Sequence, residues 1–156
     1  MSANKTVIIM KRVLKYIFLL ICAVLVIVYF VNTRCPRGMS PHETVEYYFN
    51  SWDKQNYIKM NSVVGNSDLK EFWFFNFDQN GINLIECSDD KTVNKDDVKN
   101  SPYKNPYDTR VVRAAFKPDF KSGYNSGLTN QVYEWNFYLQ KKNESSDWKI
   151  VGFGAG

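Results

Sequence analysis

The chain has 156 residues, a formal net charge of +4 and an aromatic content of 16%. Residues 34–156 carry 16 basic and 16 acidic side chains, so the whole positive excess lies in the first 33 residues. Nucleic-acid binding depends on a concentrated basic surface, which a charge-balanced segment lacks. Length and charge therefore exclude a nucleic-acid partner and fit one folded domain with a modest core.

The most apolar stretch is Tyr16–Val31, which contains no charge, Pro or Gly. Crossing a bilayer takes about 20 helical residues, a length reached by extending the stretch to Val13 and letting Lys15 reach the interface. Four Lys or Arg residues precede the stretch, which predicts a cytoplasmic N-terminus. The sequence predicts a basic cytoplasmic tail at 1–15, a transmembrane anchor at 16–32, a linker at 33–39 and an extracytoplasmic domain at 40–156.

Two alternatives to an uncleaved anchor stay open. A cleaved signal peptide needs a small-x-small site after the apolar stretch, and the segment from Val31 to Pro36 has none. A lipoprotein signal needs a small residue before its cysteine, but Ile21 precedes Cys22. The single-pass anchor is therefore favoured. Cys35 and Cys87 both lie outside the apolar stretch, and whether they pair is left open.

The domain begins with a strong helix signal at Ser40, where a capping serine is followed by Pro41 and by Glu43. Apolar residues then recur at helical spacing, which predicts one buried stripe. Its members are Val45, Tyr48, Phe49 and Trp52. A break at Gln55–Asn56 and a second short helix ending at Gly65 complete the helical part.

The second half of the chain carries strand signals, clearest where apolar and polar residues alternate from 131 to 142. The predicted strands are Ile82–Cys87, Thr109–Lys117, Gln131–Lys142 and Trp148–Phe153, the last two forming a hairpin. Turns are predicted at Asp78–Gly81 and 143–147, a loop from Pro118 to 127, and a long polar loop at Ser88–Asp108. Leu69–Phe77 is interpreted as a helical turn leading into an extended piece. Two helices followed by a curved antiparallel sheet of about four strands define an α+β fold.

These pieces resemble the nuclear-transport-factor-2-like, or cystatin-like, superfamily. The resemblance rests on the helix-break-helix from Glu43 to Met60 and on the terminal pair Val132–Leu139 and Trp148–Gly152. It is closest to uncharacterised membrane-anchored extracytoplasmic domains of Gram-positive bacteria. The resemblance implies a cone-shaped sheet wrapped around the first helix, and it implies no particular activity, because this fold hosts enzymes, binders and scaffolds alike.

The sequence contains no recognisable motif for catalysis, metal binding or cofactor binding. The only histidine, His42, lies in the first turn of a helix, and a nucleophilic pair with Cys87 would depend on tertiary proximity. Glu43 and Glu46 lie on one helix face, where two carboxylates favour the helix dipole more simply than they serve acid–base chemistry. The sequence therefore predicts no catalytic residue and no cofactor.

Six aromatic residues are predicted to line either a pocket for an apolar ligand or the core, and the core is favoured because inward-facing side chains must fill space. They are Tyr48, Trp52, Phe116, Tyr133, Trp135 and Phe137. The expected function is a membrane-anchored binding domain whose partner is another envelope protein or a small apolar ligand. A pocket enzyme of the ketosteroid-isomerase-like kind and an inert scaffold subunit are the alternatives.

Overall fold

A computed structural model describes residues 3–70, 79–90, 101–121 and 128–155. The helices are α1 (Ala3–Thr33), α2 (Pro41–Asp53) and α3 (Tyr57–Ser62), with a 3-10 turn at Ser67–Leu69. The strands are β1 (Gln79–Asp90), β2 (Asp108–Phe120), β3 (Tyr133–Lys141) and β4 (Lys149–Ala155). The chain divides into two compact units, the first ending at Arg34 and the second beginning at Cys35.

Helix α1 contains the apolar stretch and extends beyond it. Residues Met10–Val31 are long and apolar enough to cross a membrane, and none of this window is buried inside the protein. The helix begins at Ala3, so it includes most of the predicted N-terminal tail. Its basic residues Lys11, Arg12 and Lys15 thus lie on helical turns that continue into the apolar part without a break.

Helix α2 begins as its sequence predicts. The hydroxyl of Ser40 accepts the backbone N–H of Glu43 at 3.2 Å, and the Glu43 carboxylate accepts the backbone N–H of Ser40 at 2.7 Å. This reciprocal capping box satisfies two donors that the first turn of a helix leaves without partners. The helix buries Val45, Tyr48 and Phe49 against the sheet, so the predicted stripe is its packing face.

The break between α2 and α3 occurs at Gln55, whose φ of 53° is left-handed and ends the helix. Asn56 then caps α3 by accepting the backbone N–H of Lys59 at 3.1 Å. The predicted end of α3 at Gly65 is wrong, because the helix stops at Ser62. Val63 and Gly65 instead bond to Ile150 of β4, its N–H donating to Val63 at 2.9 Å and its carbonyl accepting Gly65 at 2.8 Å.

The four strands form one open antiparallel sheet in the order β1-β2-β3-β4. Helices segregated from an antiparallel sheet confirm the predicted α+β class. The core lies between α2 and one face of the sheet. The central residues of that face are fully buried: Val112, Ala114, Phe116, Phe137, Leu139 and Ile150.

Strand β1 is longer at both ends than predicted. The turn predicted at Asp78–Gly81 is wrong for Gln79 to Gly81, which open the strand and pair with Phe120 and Asp119. The start of the predicted loop Ser88–Asp108 is also wrong, because Ser88 to Asp90 continue the strand opposite β2. Polar side chains mark these residues as loop locally, yet backbone pairing with a 13-residue neighbouring strand holds them extended.

Strand β2 likewise continues through Pro118, where a loop was predicted. Proline has no N–H to donate, so it is tolerated where a strand has no neighbour on one side. The pairing of β2 with β3 ends at Phe116 and Tyr133. Beyond that point β2 pairs with β1 alone, and Pro118 lies opposite Ile82.

The predicted hairpin of β3 and β4 is present, with each strand shifted by one or two residues from its predicted bounds. Residues 71–78, 91–100 and 122–127 lie outside the described part of the chain. Most of the predicted Leu69–Phe77 segment falls there, as do the middle of the predicted polar loop and the glycine-rich end of the loop after Pro118.

Candidate functional site

The six aromatic residues singled out in the sequence form one continuous cluster. Trp52 lies 5.7 Å from Tyr48 and 6.3 Å from Phe116, measured between ring centroids. Phe116 in turn contacts Tyr133 at 5.8 Å and Trp135 at 5.1 Å. Tyr48 contacts Phe137 at 5.9 Å, which joins the last member to the others. Edge-to-face and offset contacts at these distances add stability beyond area burial.

Burial divides the cluster into two parts. Tyr48, Phe116 and Phe137 are at most 2% exposed and belong to the core. Trp52, Tyr133 and Trp135 are only partly buried and pack on the edge of that core. Because these two parts are in direct ring contact, the core extends without interruption to an aromatic surface at one end of the sheet.

Among the described residues, two further rings belong to the cluster and are absent from the predicted set. Phe49 contacts both Phe116 at 5.0 Å and Phe137 at 5.3 Å. Phe153 stacks on Trp135 at 5.4 Å with the two ring planes only 10° apart. Phe49 carries a sequence signal, since it lies in the helical stripe, whereas Phe153 faces the core only because β4 contains a bulge.

We call the partly buried rings Trp52, Tyr133, Trp135 and Phe153 the aromatic rim. The hydroxyl of the rim residue Tyr133 is held in place by hydrogen bonds. It accepts the backbone N–H of Thr129 at 2.7 Å and lies 3.1 Å from the Thr129 hydroxyl. These two contacts with Thr129 lower the pKa of Tyr133 below its ordinary value.

A polar cleft of about 440 Å³ adjoins the C-terminal end of α2, directly after Trp52 in the chain. It is lined by Asp53, Asn80, Gly81, Ile82, Asn83, Lys117, Pro118, Asp119 and Asn130. Asp53 accepts the backbone N–H of Ile82 at 3.1 Å and so fixes the start of β1 to α2. Asn130 donates to and accepts from the backbone of Phe120, at 3.1 and 2.8 Å.

The residues that the sequence analysis considered for catalysis lie outside the aromatic cluster and the polar cleft. His42 pairs with Glu46 at 3.2 Å within the first turns of α2. Glu43 accepts the Ser40 N–H, which lowers the pKa of the Glu43 carboxyl. Cys35 and Cys87 are not joined in a disulfide, and each is partly buried against the core. Within the described ranges, no three His, Cys, Asp or Glu side chains converge on a point where a metal ion could bind.

The protein is therefore of the α+β class, with an apolar N-terminal helix and a domain whose aromatic core continues into the aromatic rim. The family described as "Domain of unknown function (DUF4829)" matches residues 42–154. Because this match covers most of the chain, the protein belongs to the DUF4829 family. Comparisons with curated proteins and with solved structures give no match.

Proposed function

We propose that the protein is a single-pass membrane protein whose C-terminal domain lies outside the cytoplasm and binds a partner through the aromatic rim. The partner is another envelope protein or a small apolar ligand. The observation that carries this proposal is the rim itself: four large rings, continuous with the core, that are left partly exposed.

Aromatic side chains are the residues that most often dominate binding energy at protein interfaces. They offer a large apolar area and lose little conformational freedom on binding, since each has only two side-chain torsions. The rim rings are further restrained by their mutual contacts, including the stacked pair Trp135 and Phe153. A surface ordered before binding loses less entropy when a partner arrives, which favours affinity.

The experiment that tests this places a photo-crosslinking amino acid at Trp135 in the full chain, expressed in its native cells. A matched control carries the same amino acid at Tyr138, a partly buried residue of β3 whose side chain lies on the opposite face of the sheet. We expect a discrete adduct from position 135 and none from position 138. A protein-sized adduct identifies a protein partner, and a small mass increase identifies a ligand. Equal yields at the two positions, or none at either, would contradict the proposal.

Membrane anchoring is tested separately. The basic residues before the apolar stretch support a cytoplasmic N-terminus by the positive-inside rule. We expect the protein to stay in the membrane pellet after carbonate extraction. We also expect protease added to cells lacking a wall to remove the domain while leaving an N-terminal fragment. Recovery of a mature chain that begins after residue 31 would instead establish a cleaved signal peptide.

The relation to the nuclear-transport-factor-2-like superfamily is also proposed rather than established. Support comes from α2 packing its apolar face on an antiparallel sheet that ends in a hairpin.

A further inference from the structure

Strand β4 is an edge of the sheet, and the chain itself covers one part of that edge. The backbone N–H of Ile150 donates to the carbonyl of Val63 at 2.9 Å, and the Ile150 carbonyl accepts the N–H of Gly65 at 2.8 Å. Val64 thereby forms a single parallel bridge with Ile150, and the chain then leaves the edge for the 3-10 turn at Ser67–Leu69. This bridge shows that the edge of β4 accepts an added strand.

The register of the sheet shows which backbone groups point outward beyond that bridge. Ile150 directs both of its groups outward, so Leu139, its partner in β3, directs its own groups toward β2. Strand β3 pairs with β2 without a register shift, so Phe137 also points toward β2 by alternation. The Lys141 carbonyl follows the same alternation and accepts the N–H of the residue before β2 at 2.8 Å. Phe153 pairs with Phe137 and therefore directs its N–H and carbonyl away from β3.

The outer edge around Phe153 is open. Among the residues that the structure describes, none forms a hydrogen bond with the outward N–H or carbonyl of Phe153. Edge strands commonly carry charged side chains or proline that prevent pairing with another chain, and Ile150–Ala155 contains neither. Gly152 and Gly154 flank Phe153, and a Cβ at Gly154 would meet nothing within 4 Å. A row of open backbone groups with free space beside it is what an extended peptide needs in order to add to a sheet.

The aromatic rim lies beside this open edge. The ring of Phe153 stacks on Trp135, and Trp135 pairs with Ala155 at the same end of β4. In an added strand, the residue beside Phe153 points its side chain to the same face of the sheet as Phe153 does. An apolar side chain at that position would lie against the rings of Phe153 and Trp135, and its neighbours along the strand would lie over the glycines.

We propose that the open edge, Gly152–Ala155, binds an extended segment of a partner protein as an added strand, with one apolar side chain of that segment on the aromatic rim. The inference rests on the proposed function and deepens it, because it selects a polypeptide over a small apolar ligand. A short segment fits this edge better than a second folded copy of the chain. The four residues of open strand fall far short of the roughly 20–30 residues that each side of a standard interface contributes.

The test combines the photo-crosslinking amino acid at Trp135, in the full chain in its native cells, with two substitutions of Phe153. Phe153→Pro removes the ring and the outward N–H, and an edge strand tolerates proline where the N–H faces away from the neighbouring strand. Phe153→Leu is the matched control, because it removes the ring and keeps the N–H. We expect the proline variant to give at least about five-fold less protein-sized adduct than the leucine variant, because one hydrogen bond to the partner is lost.

A second measurement depends on neither variant. Amide hydrogen exchange of residues 152–155 is compared in the purified full chain carrying the crosslinker, before and after the adduct forms. We expect exchange at Phe153 and Ala155, whose N–H groups point outward, to slow about ten-fold or more, because a hydrogen-bonded amide exchanges only when it opens. Exchange at Gly152 and Gly154, whose N–H groups point toward β3, should change little.

The results separate this inference from the proposed function. A protein-sized adduct formed equally by the proline and leucine variants would overturn the added strand and leave binding through the rim intact. A small mass increase, or an adduct of two copies of this chain, would also overturn it. If position 135 gives no adduct without further substitution, the proposed function and this inference both fail. If thermal unfolding shows that the proline variant is not folded, the exchange at Phe153 decides alone.

Discussion

At the scale of single residues, the capping box of α2 predicts a dependence of stability on pH. Hydrogen bonding to Ser40 lowers the folded-state pKa of Glu43 below the ordinary 4.5. A lowered pKa means that folding favours the ionised carboxylate. The resulting stability is present above about pH 4.5 and is lost as the pH falls through the lower folded-state value.

We therefore expect Glu43→Gln to reduce stability near neutral pH and to match the wild type in strong acid. Denaturant unfolding followed by tryptophan fluorescence measures this, because all four tryptophans follow residue 34. Ser40→Ala, which removes the other half of the box, should cost about 1 kcal/mol at neutral pH. Parallel pH profiles for the wild type and Glu43→Gln would show that the box contributes nothing to the acid response.

The short distance between Gly81 and Asp53 gives a second prediction. The effect of Gly81→Ala on stability should depend on whether the Asp53 carboxylate is present. A Cβ added to Gly81 would lie 2.7 Å from Oδ1 of Asp53, the oxygen that accepts the Ile82 N–H. Gly81→Ala should therefore displace the carboxylate and cost about 1 kcal/mol, the typical worth of one hydrogen bond.

In an Asp53→Ala background the obstacle is gone. Gly81→Ala should then be neutral or stabilising by about 0.4–1 kcal/mol, because alanine restricts the unfolded chain more than glycine does. Unfolding free energies of the two single variants and the double variant complete the cycle. Additive effects would mean that Gly81 and Asp53 do not interact as described.

Among the elements, β4 leaves little room for added volume where Gly65 bonds to it. A Cβ at Gly65 would lie 3.0 Å from Cβ of Lys149, 3.3 Å from the Tyr103 hydroxyl and 3.4 Å from Val151. A neighbouring Cβ cannot retreat unless its backbone moves, so Gly65→Ala should cost about 1–2 kcal/mol. Gly154→Ala, where a Cβ meets nothing within 4 Å, is the matched control and should be neutral or slightly stabilising. Thermal unfolding of both variants checks the contrast.

The elements that sequence reasoning predicts well are those specified by local signals. Helix α2 carries its own cap and stripe, and β3 alternates strictly, so both are found near their predicted bounds. The ends of β1 and β2 depend instead on pairing between residues far apart in sequence. Ser88 is held extended by Arg113, which the local polarity around Ser88 cannot indicate.

Irregularities in the sheet explain why the site was predicted only in part. Alternation from Ile150 would put Gly152 on the core face, but a bulge between Ile150 and Gly152 puts Phe153 there. A bulge between Leu84 and Glu86 similarly brings Cys87 toward the core. Rings on regular elements, such as Trp135 and Phe137, could be assigned to one face from the sequence. Phe153 could not, because no local signal places the extra residue.

At the scale of the whole molecule, the division at residue 34 predicts that the second unit folds without α1. The described core residues from Val45 to Ile150 lie in this unit, and so do the four strands that the structure describes. A fragment of residues 35–156 should therefore be soluble and unfold in one cooperative transition in urea.

The start of that fragment matters, because the linker is part of the folded unit. Cys35 and Met39 pack against the core, and Gly38 donates to Asp147 at 3.1 Å. A fragment beginning at Ser40 loses these contacts and should be less stable by about 1–3 kcal/mol, the sum of one hydrogen bond and two partly buried side chains. Urea midpoints of the two fragments, measured by tryptophan fluorescence, test the difference. Identical midpoints would mean that residues 35–39 do not belong to the folded unit.

If the longer fragment is insoluble in reducing and oxidising buffers alike, the domain needs α1 and the division at residue 34 is wrong.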